Sequence, residues 1–250
     1  MQAYIENGQL VVGNKRFDLD APYIDLRQTG VTALPDGLKI DGSLDLCDCV
    51  GITSLPRGLA VCGDLWLDGC TNLVSLSDGL YVGGDLWLGG CVSLTAFPEG
   101  FSAFGHLGLR GCTGLTSLPA NLNVKNDLSL SGCTGLTTLP RSLSVGECVY
   151  LNDCVNLTSL PENWTVGWSL YLNRCTGLTV LPKGLKLEGS LFLEGCTGLT
   201  SLPDDLQMKG SVVGFAFSPV PDPSQTSTRD ALDDEALVWL TTRADGDWIM

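Results

Sequence analysis

A short internal repeat constrains this chain more than any other feature of its sequence. The segment from Leu107 to Pro119 recurs 21 positions later as the segment from Leu128 to Pro140. The same period places eight cysteines in one phase, at Cys49, Cys70, Cys91, Cys112, Cys133, Cys154, Cys175 and Cys196. An internal repeat of this length indicates a solenoid, in which each unit forms one coil and buries its apolar side against its neighbours.

Alternation inside each repeat predicts one short strand per coil. In the run Leu65-Trp66-Leu67 the two leucines face inward and the tryptophan faces outward, because successive side chains of a strand point to opposite faces. Leu73 and Leu76 continue the inward set after a turn at Asp68-Gly69. We therefore predict parallel strands at Leu44–Leu46, Leu65–Leu67 and their copies in the following repeats.

Proline excludes a helix from the other side of the coil. Most repeats carry a leucine-proline pair after the turn, at Leu34-Pro35, Leu55-Pro56, Leu118-Pro119, Leu139-Pro140, Leu160-Pro161, Leu181-Pro182 and Leu202-Pro203. Proline lacks a backbone donor and has a fixed φ, so this convex side should be extended or polyproline-like. The expected fold is an all-β solenoid of about nine coils, with its strands on the concave face.

The repeat array divides the chain into three parts. Residues 1–22 precede it and predict a β-hairpin cap with an Asn7-Gly8 turn. Residues 23–215 form the solenoid, and residues 216–250 form a linker and an acidic tail. A short helix is expected around Ala231–Thr242, because its apolar residues fall on one helical face that can cover the last coil.

The repeat resembles the leucine-rich repeat family. The residues that carry the likeness are Leu65, Leu67, Cys70, Leu73 and Leu76 with their copies, which match the pattern of strand leucines followed by Asn or Cys. The resemblance covers roughly residues 24 to 212. The short period and the leucine-proline pairs look like the bacterial, effector-type subclass, with cysteine where other members have an asparagine ladder. The resemblance implies a scaffold that binds partner proteins.

Composition limits the classes of partner. The formal net charge is -14, which disfavours nucleic acid and anionic membrane surfaces and favours a partner with a basic surface. No apolar run approaches the ~20 residues of a membrane-spanning helix, and the first residues do not look like a signal peptide. We expect a cytoplasmic monomer, for which signal-independent export stays open.

The cysteines predict a buried row of free thiols rather than a metal site or a disulfide framework. A zinc site needs ligands that converge on one point, whereas this row presents them along a line. We therefore expect no metal and no cofactor. Cys47 and Cys148 occupy outward strand positions and are the predicted exposed thiols.

Outward positions of the strands form three columns on the concave face. The central column contains Asp45, Trp66, Trp87, Gly108, Ser129, Tyr150, Tyr171, Phe192 and Val213. The entry column, two positions earlier in each coil, contains Ser43, Asp64, Asp85, His106, Asp127, Cys148, Ser169 and Ser190. The exit column, two positions later, contains Cys47, Asp68, Gly89, Arg110, Ser131, Asn152, Asn173 and Glu194.

These columns predict a binding face. Aromatic side chains dominate interface hot spots, and aspartates beside them should select a basic partner. The predicted partner-binding residues are Trp66, Trp87, Tyr150, Tyr171, Phe192, Asp64, Asp85, Asp127, His106 and Arg110. The small residues Gly108 and Ser129, between His106 and Arg110, predict a notch that admits one protruding group of the partner.

Protein recognition without catalysis is the predicted function. The pattern places no serine or cysteine as a partner for His106, the single histidine, so we predict no catalytic residues and no enzyme. Carbohydrate binding on the aromatic stripe is the alternative. A structural role also stays open, in which stacked aromatic rings stabilise the parallel strands themselves.

Overall fold

The computed structural model of the chain describes residues 1–215, and the predicted linker and tail helix lie outside the described residues. Every regular element in residues 1–215 is a β-strand. In this part of the chain no helix is long and apolar enough to cross a membrane. Parallel strands recur at the 21-residue period, which confirms the predicted all-β solenoid of about nine coils.

An antiparallel sheet precedes the coils and covers the first of them. It contains β1 (Tyr4–Glu6), β2 (Gln9–Val12) and β3 (Lys15–Asp18), of which only the first two were predicted. Asn7 and Gly8 both have positive φ, as the two-residue turn between β1 and β2 requires. Leu10 is buried in the same apolar cluster as Ile24 of the first coil, so the sheet closes that end of the core.

Ten parallel strands form the first ladder. They are β4 (Tyr23–Asp25), β6 (Ser43–Asp45), β8 (Leu65–Trp66), β10 (Leu86–Trp87), β12 (Leu107–Gly108), β14 (Leu128–Ser129), β16 (Val149–Tyr150), β18 (Leu170–Tyr171), β20 (Leu191–Phe192) and β22 (Val212–Val213). From Leu44 opposite Leu65 onward, each residue pairs with the residue 21 positions later. Ile24 pairs with Leu44, because the first repeat is one residue shorter.

The coils also contribute strands to a second parallel ladder, which the sequence pattern did not predict. It contains β5 (Lys39–Ile40), β7 (Ala60–Val61) and β9 (Tyr81–Val82) in one sheet, and β11 (Ser102–Ala103), β13 (Asn123–Val124), β15 (Ser144–Val145), β17 (Thr165–Val166), β19 (Lys186–Leu187) and β21 (Gln207–Met208) in another. The ladder is interrupted between β9 and β11, at the coil where Phe97 and Phe101 replace the leucines of neighbouring coils. Between the ladders, the leucine-proline segment is extended and makes only isolated bridges, such as Ser54 to Ser75.

The core is one apolar cluster that runs through the coils. Leu65, Leu67, Cys70 and Leu73 are each 0% exposed, and their copies in neighbouring coils are buried in the same way. The predicted inward set is therefore the observed one. Each coil buries a similar set of side chains, so the hydrophobic stabilisation is spread along the array.

The eight in-phase cysteines are buried and make hydrogen bonds between coils. Cys70 Sγ donates to the carbonyl oxygen of Leu46 in the preceding coil at 3.1 Å, and Cys133 Sγ donates to that of Leu109 at 3.0 Å. The other six thiols make the equivalent contact. Burial raises the pKa of every thiol in the row, that of Cys112 to about 12. A low thiolate content favours poor reactivity, which stays a prediction.

The prediction of exposed thiols at Cys47 and Cys148 is wrong. Both side chains are half-buried, whereas Cys62, at the bend after the second ladder, is exposed. Burial raises the pKa of Cys47 and of Cys148, and carboxylates next to Cys47 add to the effect. Outward strand positions are therefore not open positions here, because side chains of adjacent coils cover one another.

Candidate functional site

The outward side chains of the first ladder, in the entry, central and exit columns, form what we call the ladder face. All ten predicted partner-binding residues lie on it. The parallel register places each side chain directly beside its counterparts in the adjacent coils. The columns are therefore continuous rows that run across the coils.

Carboxylates of the entry column bind the backbone of the next coil. Asp64 Oδ1 accepts the N–H of Asp85, and Asp85 Oδ1 accepts the N–H of His106, both at 2.8 Å. Asp127 Oδ1 accepts the N–H of Cys148 at the same distance. Serine hydroxyls take this role in other coils. The aspartates predicted to select a partner thus also hold the ladder together, a role that the sequence pattern did not indicate.

Asp64 and Asp85 each keep one oxygen available to a partner, whereas Asp127 Oδ2 lies 3.3 Å from His106 Nδ1. Within residues 1–215, Asp64 and Asp85 make no ion pair, so their charges are not compensated by a described side chain. Both side chains are half-buried and fixed through Oδ1. A basic group that approaches the ladder face meets charges that are already held in place.

Three aromatic rings of the central column stack on one another. The ring centroids of Tyr150 and Tyr171 are 4.6 Å apart with an interplanar angle of 15°, and those of Tyr171 and Phe192 are 4.3 Å apart at 4°. All three side chains are half-buried. Because the rings cover each other's faces, the stack presents mainly ring edges to a ligand. The stack also stabilises the strands, as the structural alternative requires.

The predicted notch at Gly108 and Ser129 is absent, so that prediction is wrong. A Cβ atom at Gly108 would lie 2.3 Å from Cε3 of Trp87, which shows that the indole occupies the space above the glycine. Gly108 is buried, and Ser129 is only 3% exposed. The small residue allows the large ring of the preceding coil to lie flat, so the gap in the sequence is filled in the structure.

Tyr23 extends the ladder face at its N-terminal end. Its ring meets that of Trp66 edge-on with centroids 5.9 Å apart, and its hydroxyl donates to Asp45 Oδ2 at 2.7 Å. Arg27 Nε lies 3.3 Å from the same oxygen, so the guanidinium that binds Asp25 also attracts the buried Asp45 carboxylate. Tyr23 was not predicted as part of the face, because the shorter first repeat moves it out of the regular period.

His106 pairs with a carboxylate of the next coil. Its Nδ1 lies 3.3 Å from Asp127 Oδ2 and 3.2 Å from the backbone nitrogen of Asp127. The hydrogen bond that the protonated imidazole donates to the Asp127 carboxylate raises the pKa of His106, and the negative charge of Asp85 adds to the increase. The carboxylate of Glu147, from the following coil, comes within 4.8 Å of the ligand atoms of both side chains. Asp127 and His106 were predicted site residues, whereas Glu147 was not.

Arg110 lies in a different column from His106 and has a different acidic neighbour. It is exposed in the exit column, where its charge contributes to the lowered pKa of Asp153 after the larger effect of Arg174. Arg174 Nε lies 2.6 Å from Asp153 Oδ1. The turn that follows the exit column therefore carries its own ion pair, separate from the entry column.

Asp68 has the most perturbed carboxyl group on the ladder face. Burial raises its pKa from 3.8 to about 6, against the opposing effect of the backbone N–H of Gly89, which donates to Oδ1 at 2.7 Å. In later coils Asn152 and Asn173 occupy the same column, and Asn173 Oδ1 accepts the N–H of Glu194 in the same manner. The backbone contact thus needs an acceptor oxygen and no charge.

Searches with this chain found no matching protein-family model, no similar curated protein and no similar solved structure.

Proposed function

We propose that the chain is a non-enzymatic scaffold for protein recognition, and that its ladder face binds a partner with a basic surface. The observation that carries the proposal is the row formed by Asp64 and Asp85, whose charges have no described counterion beside the half-buried rings of Trp66 and Trp87. The formal net charge of -14 favours the same class of partner through long-range attraction.

Rigidity supports this function. The stacked rings of Tyr150, Tyr171 and Phe192 lose little conformational entropy when a partner binds, because their neighbours already hold them. Large aromatic side chains are also the residues whose truncation most often costs an interface ~2 kcal/mol or more. Asp127, His106 and Arg110 would contribute at the edges of the face.

Carbohydrate binding is the weaker proposal for the same surface. Sugars bind aromatic residues through the ring face, and in the stack the face of Tyr171 is covered on both sides. The stack therefore offers edges, which suit side chains of a protein better than they suit a sugar ring.

We also propose that the chain belongs to the leucine-rich repeat family, in the bacterial effector-type subclass. The repeat pattern and the cysteines in the place of the asparagine ladder support this assignment. A cytoplasmic monomer that binds neither nucleic acid nor membrane is proposed from charge and hydropathy. Export without a signal peptide stays compatible with it.

Capture of partners by the immobilised full chain tests the proposed face. We expect Trp87→Ala to weaken binding of the captured partner more than tenfold, since the indole is lost from the centre of the face. The same variant should lower stability moderately, because the indole also packs on Gly108. Affinity is therefore measured on the folded fraction, after circular dichroism has established that the fold is retained.

Matched charge variants complete the experiment. The double variant Asp64→Asn, Asp85→Asn keeps the acceptor oxygens for the backbone N–H groups. It should slow association with the captured partner, and the effect should fade as the salt concentration rises. Asp78→Asn with Asp204→Asn makes the same charge change at exposed turns off the ladder face and should have little effect. Equal effects of both pairs, or an unchanged affinity for Trp87→Ala, would contradict the proposed face. Binding on a glycan panel without any protein partner would favour the carbohydrate alternative.

A further inference from the structure

We propose that His106, Asp127 and Glu147 form a Zn²⁺ site at the edge of the ladder face, beside the entry column. Each residue comes from a different coil, and one ligand atom from each lies within 4.8 Å of the other two. Two carboxylates and one imidazole are a ligand set that Zn²⁺ and similar divalent transition metals accept. The row of cysteines is a separate feature and contributes no ligand to this site.

Spacing of the ligand atoms suits a tetrahedral ion. With metal–ligand bonds of about 2.0–2.1 Å, two ligand atoms on a tetrahedral Zn²⁺ are roughly 3.3 Å apart. His106 Nδ1 and Asp127 Oδ2 are separated by 3.3 Å. Glu147 is exposed and has a longer side chain, so its carboxylate can close the third position without moving the backbone. A fourth position stays open to water or to a group of a partner.

Two of the three ligands are already oriented by the neighbouring coils. Asp85 Oδ1 accepts the backbone N–H of His106 at 2.8 Å, and the backbone N–H of Cys148 holds Asp127 Oδ1. This leaves Asp127 Oδ2 directed towards the imidazole. The rings of His106 and Trp87 stack with centroids 6.2 Å apart, which limits rotation of the imidazole. Partners of this kind orient metal ligands and strengthen binding.

Charge favours a cation at this place. Asp64, Asp85 and Asp127 lie in the entry column and Glu147 directly precedes Cys148 of that column; among residues 1–215 Glu147 makes no side-chain hydrogen bond or ion pair. Zn²⁺ bound to a neutral imidazole balances the two carboxylate charges. The backbone N–H of Asp127 competes for Nδ1 at 3.2 Å, so binding should be weaker than at a closed four-ligand structural site.

The single histidine of the chain allows a direct test. The full-length protein is prepared without a histidine tag and with Cys62→Ser, which removes the exposed thiol. Addition of Zn²⁺ should shift the imidazole resonances of His106 and saturate at one ion per chain. Glu147→Gln should raise the dissociation constant at least tenfold, whereas Glu162→Gln, an equal charge change at an exposed turn off the ladder face, should leave it unchanged.

Co²⁺ distinguishes the ligands. Bound through nitrogen and oxygen, it should absorb in the visible range without a thiolate charge-transfer band in the near ultraviolet. His106 resonances that do not move in excess Zn²⁺ would overturn the site. So would equal affinities for Glu147→Gln and the unchanged protein, or a thiolate band, which would assign the ion to cysteine. The site stands or falls independently of the protein-recognition proposal, because no partner enters the measurement.

Discussion

Side chains of the ladder face hold the backbone of adjacent coils as well as facing outward. The entry column uses aspartate, serine and histidine as acceptors, and the exit column uses aspartate and asparagine. A buried carboxylate is costly in this role because ionisation must occur away from water. Asp68 has this cost, while Asn152 and Asn173 avoid it.

Asp68→Asn should stabilise the protein above pH 6. The folded-state pKa of Asp68 is raised to about 6 from 3.8, so its protonated form favours folding at low pH, and this contribution is lost as pH rises through about 6. The variant keeps an acceptor for the N–H of Gly89 and should gain up to about 3 kcal/mol at pH 7.5. Urea unfolding from pH 4 to pH 8 measures the difference between the two proteins.

That difference should be small at pH 4 and grow between pH 4 and pH 6. Asp64→Asn is the control, because it makes the same charge change in the entry column and also keeps an acceptor for the backbone. A gain that is constant across the pH range would show that burial of the Asp68 charge is not the cause.

Each coil is joined to the preceding one at three kinds of position. Strands pair in the two ladders, polar side chains accept backbone N–H groups, and the thiols donate from the turn to a leucine carbonyl. Of these three kinds of contact, the one made by the cysteine thiols lies inside the core. The cysteine side chains fill space in the core and bridge coils at once, so the row contributes to the alignment of the turns.

Cys133→Ala should lower the free energy of unfolding by roughly 1–3 kcal/mol. The substitution empties a core position that is 0% exposed and removes the thiol contact with the Leu109 carbonyl. That carbonyl keeps the N–H of Cys112 as a donor, so the loss comes mainly from packing. Chemical denaturation measures it. Cys62→Ala, the same change at an exposed site, should cost little, and equal costs would show that burial is not the reason.

At the scale of the whole molecule, the described chain has one continuous core with an N-terminal cover. The array grows along one direction, and a terminal coil would expose its apolar side without a cap. The antiparallel sheet supplies this cover at the N-terminus, where Met1 and Ala3 also bond to the backbone of the first coil. Residues 216–250 lie outside the described part of the chain.

Leu10→Ala should destabilise the molecule by about 2–5 kcal/mol, because a fully buried side chain of the cap leaves a cavity against the first coil. Its cross-strand partner Ile5 is 43% exposed, so Ile5→Ala is the matched control and should have a small effect. Thermal unfolding of both variants measures the contrast. If the two variants lose equal stability, the sheet is an appendage and not a cover of the core.

Local sequence patterns were sufficient to predict the fold of each coil. The repeat period and the alternation around Leu65-Trp66-Leu67 determined the parallel register, the inward leucines and cysteines, and the absence of a helix from the described repeats, because these depend on spacing along the chain. The observed strands begin one residue earlier than predicted at Ser43–Asp45 and end one residue earlier at Leu65–Trp66. The residues Asn7 and Gly8 were likewise sufficient to predict the turn between β1 and β2.

Only the tertiary structure decided what the outward side chains do. Trp87 covers Gly108, Asp85 binds the backbone N–H of His106, and Glu147 approaches His106 and Asp127 across coils. These contacts depend on rotamers and on the reach of side chains between coils, for which a repeat pattern carries no information. The sequence by itself therefore determined which residues face outward, while packing between coils decided which of them are covered, fixed in place or brought together.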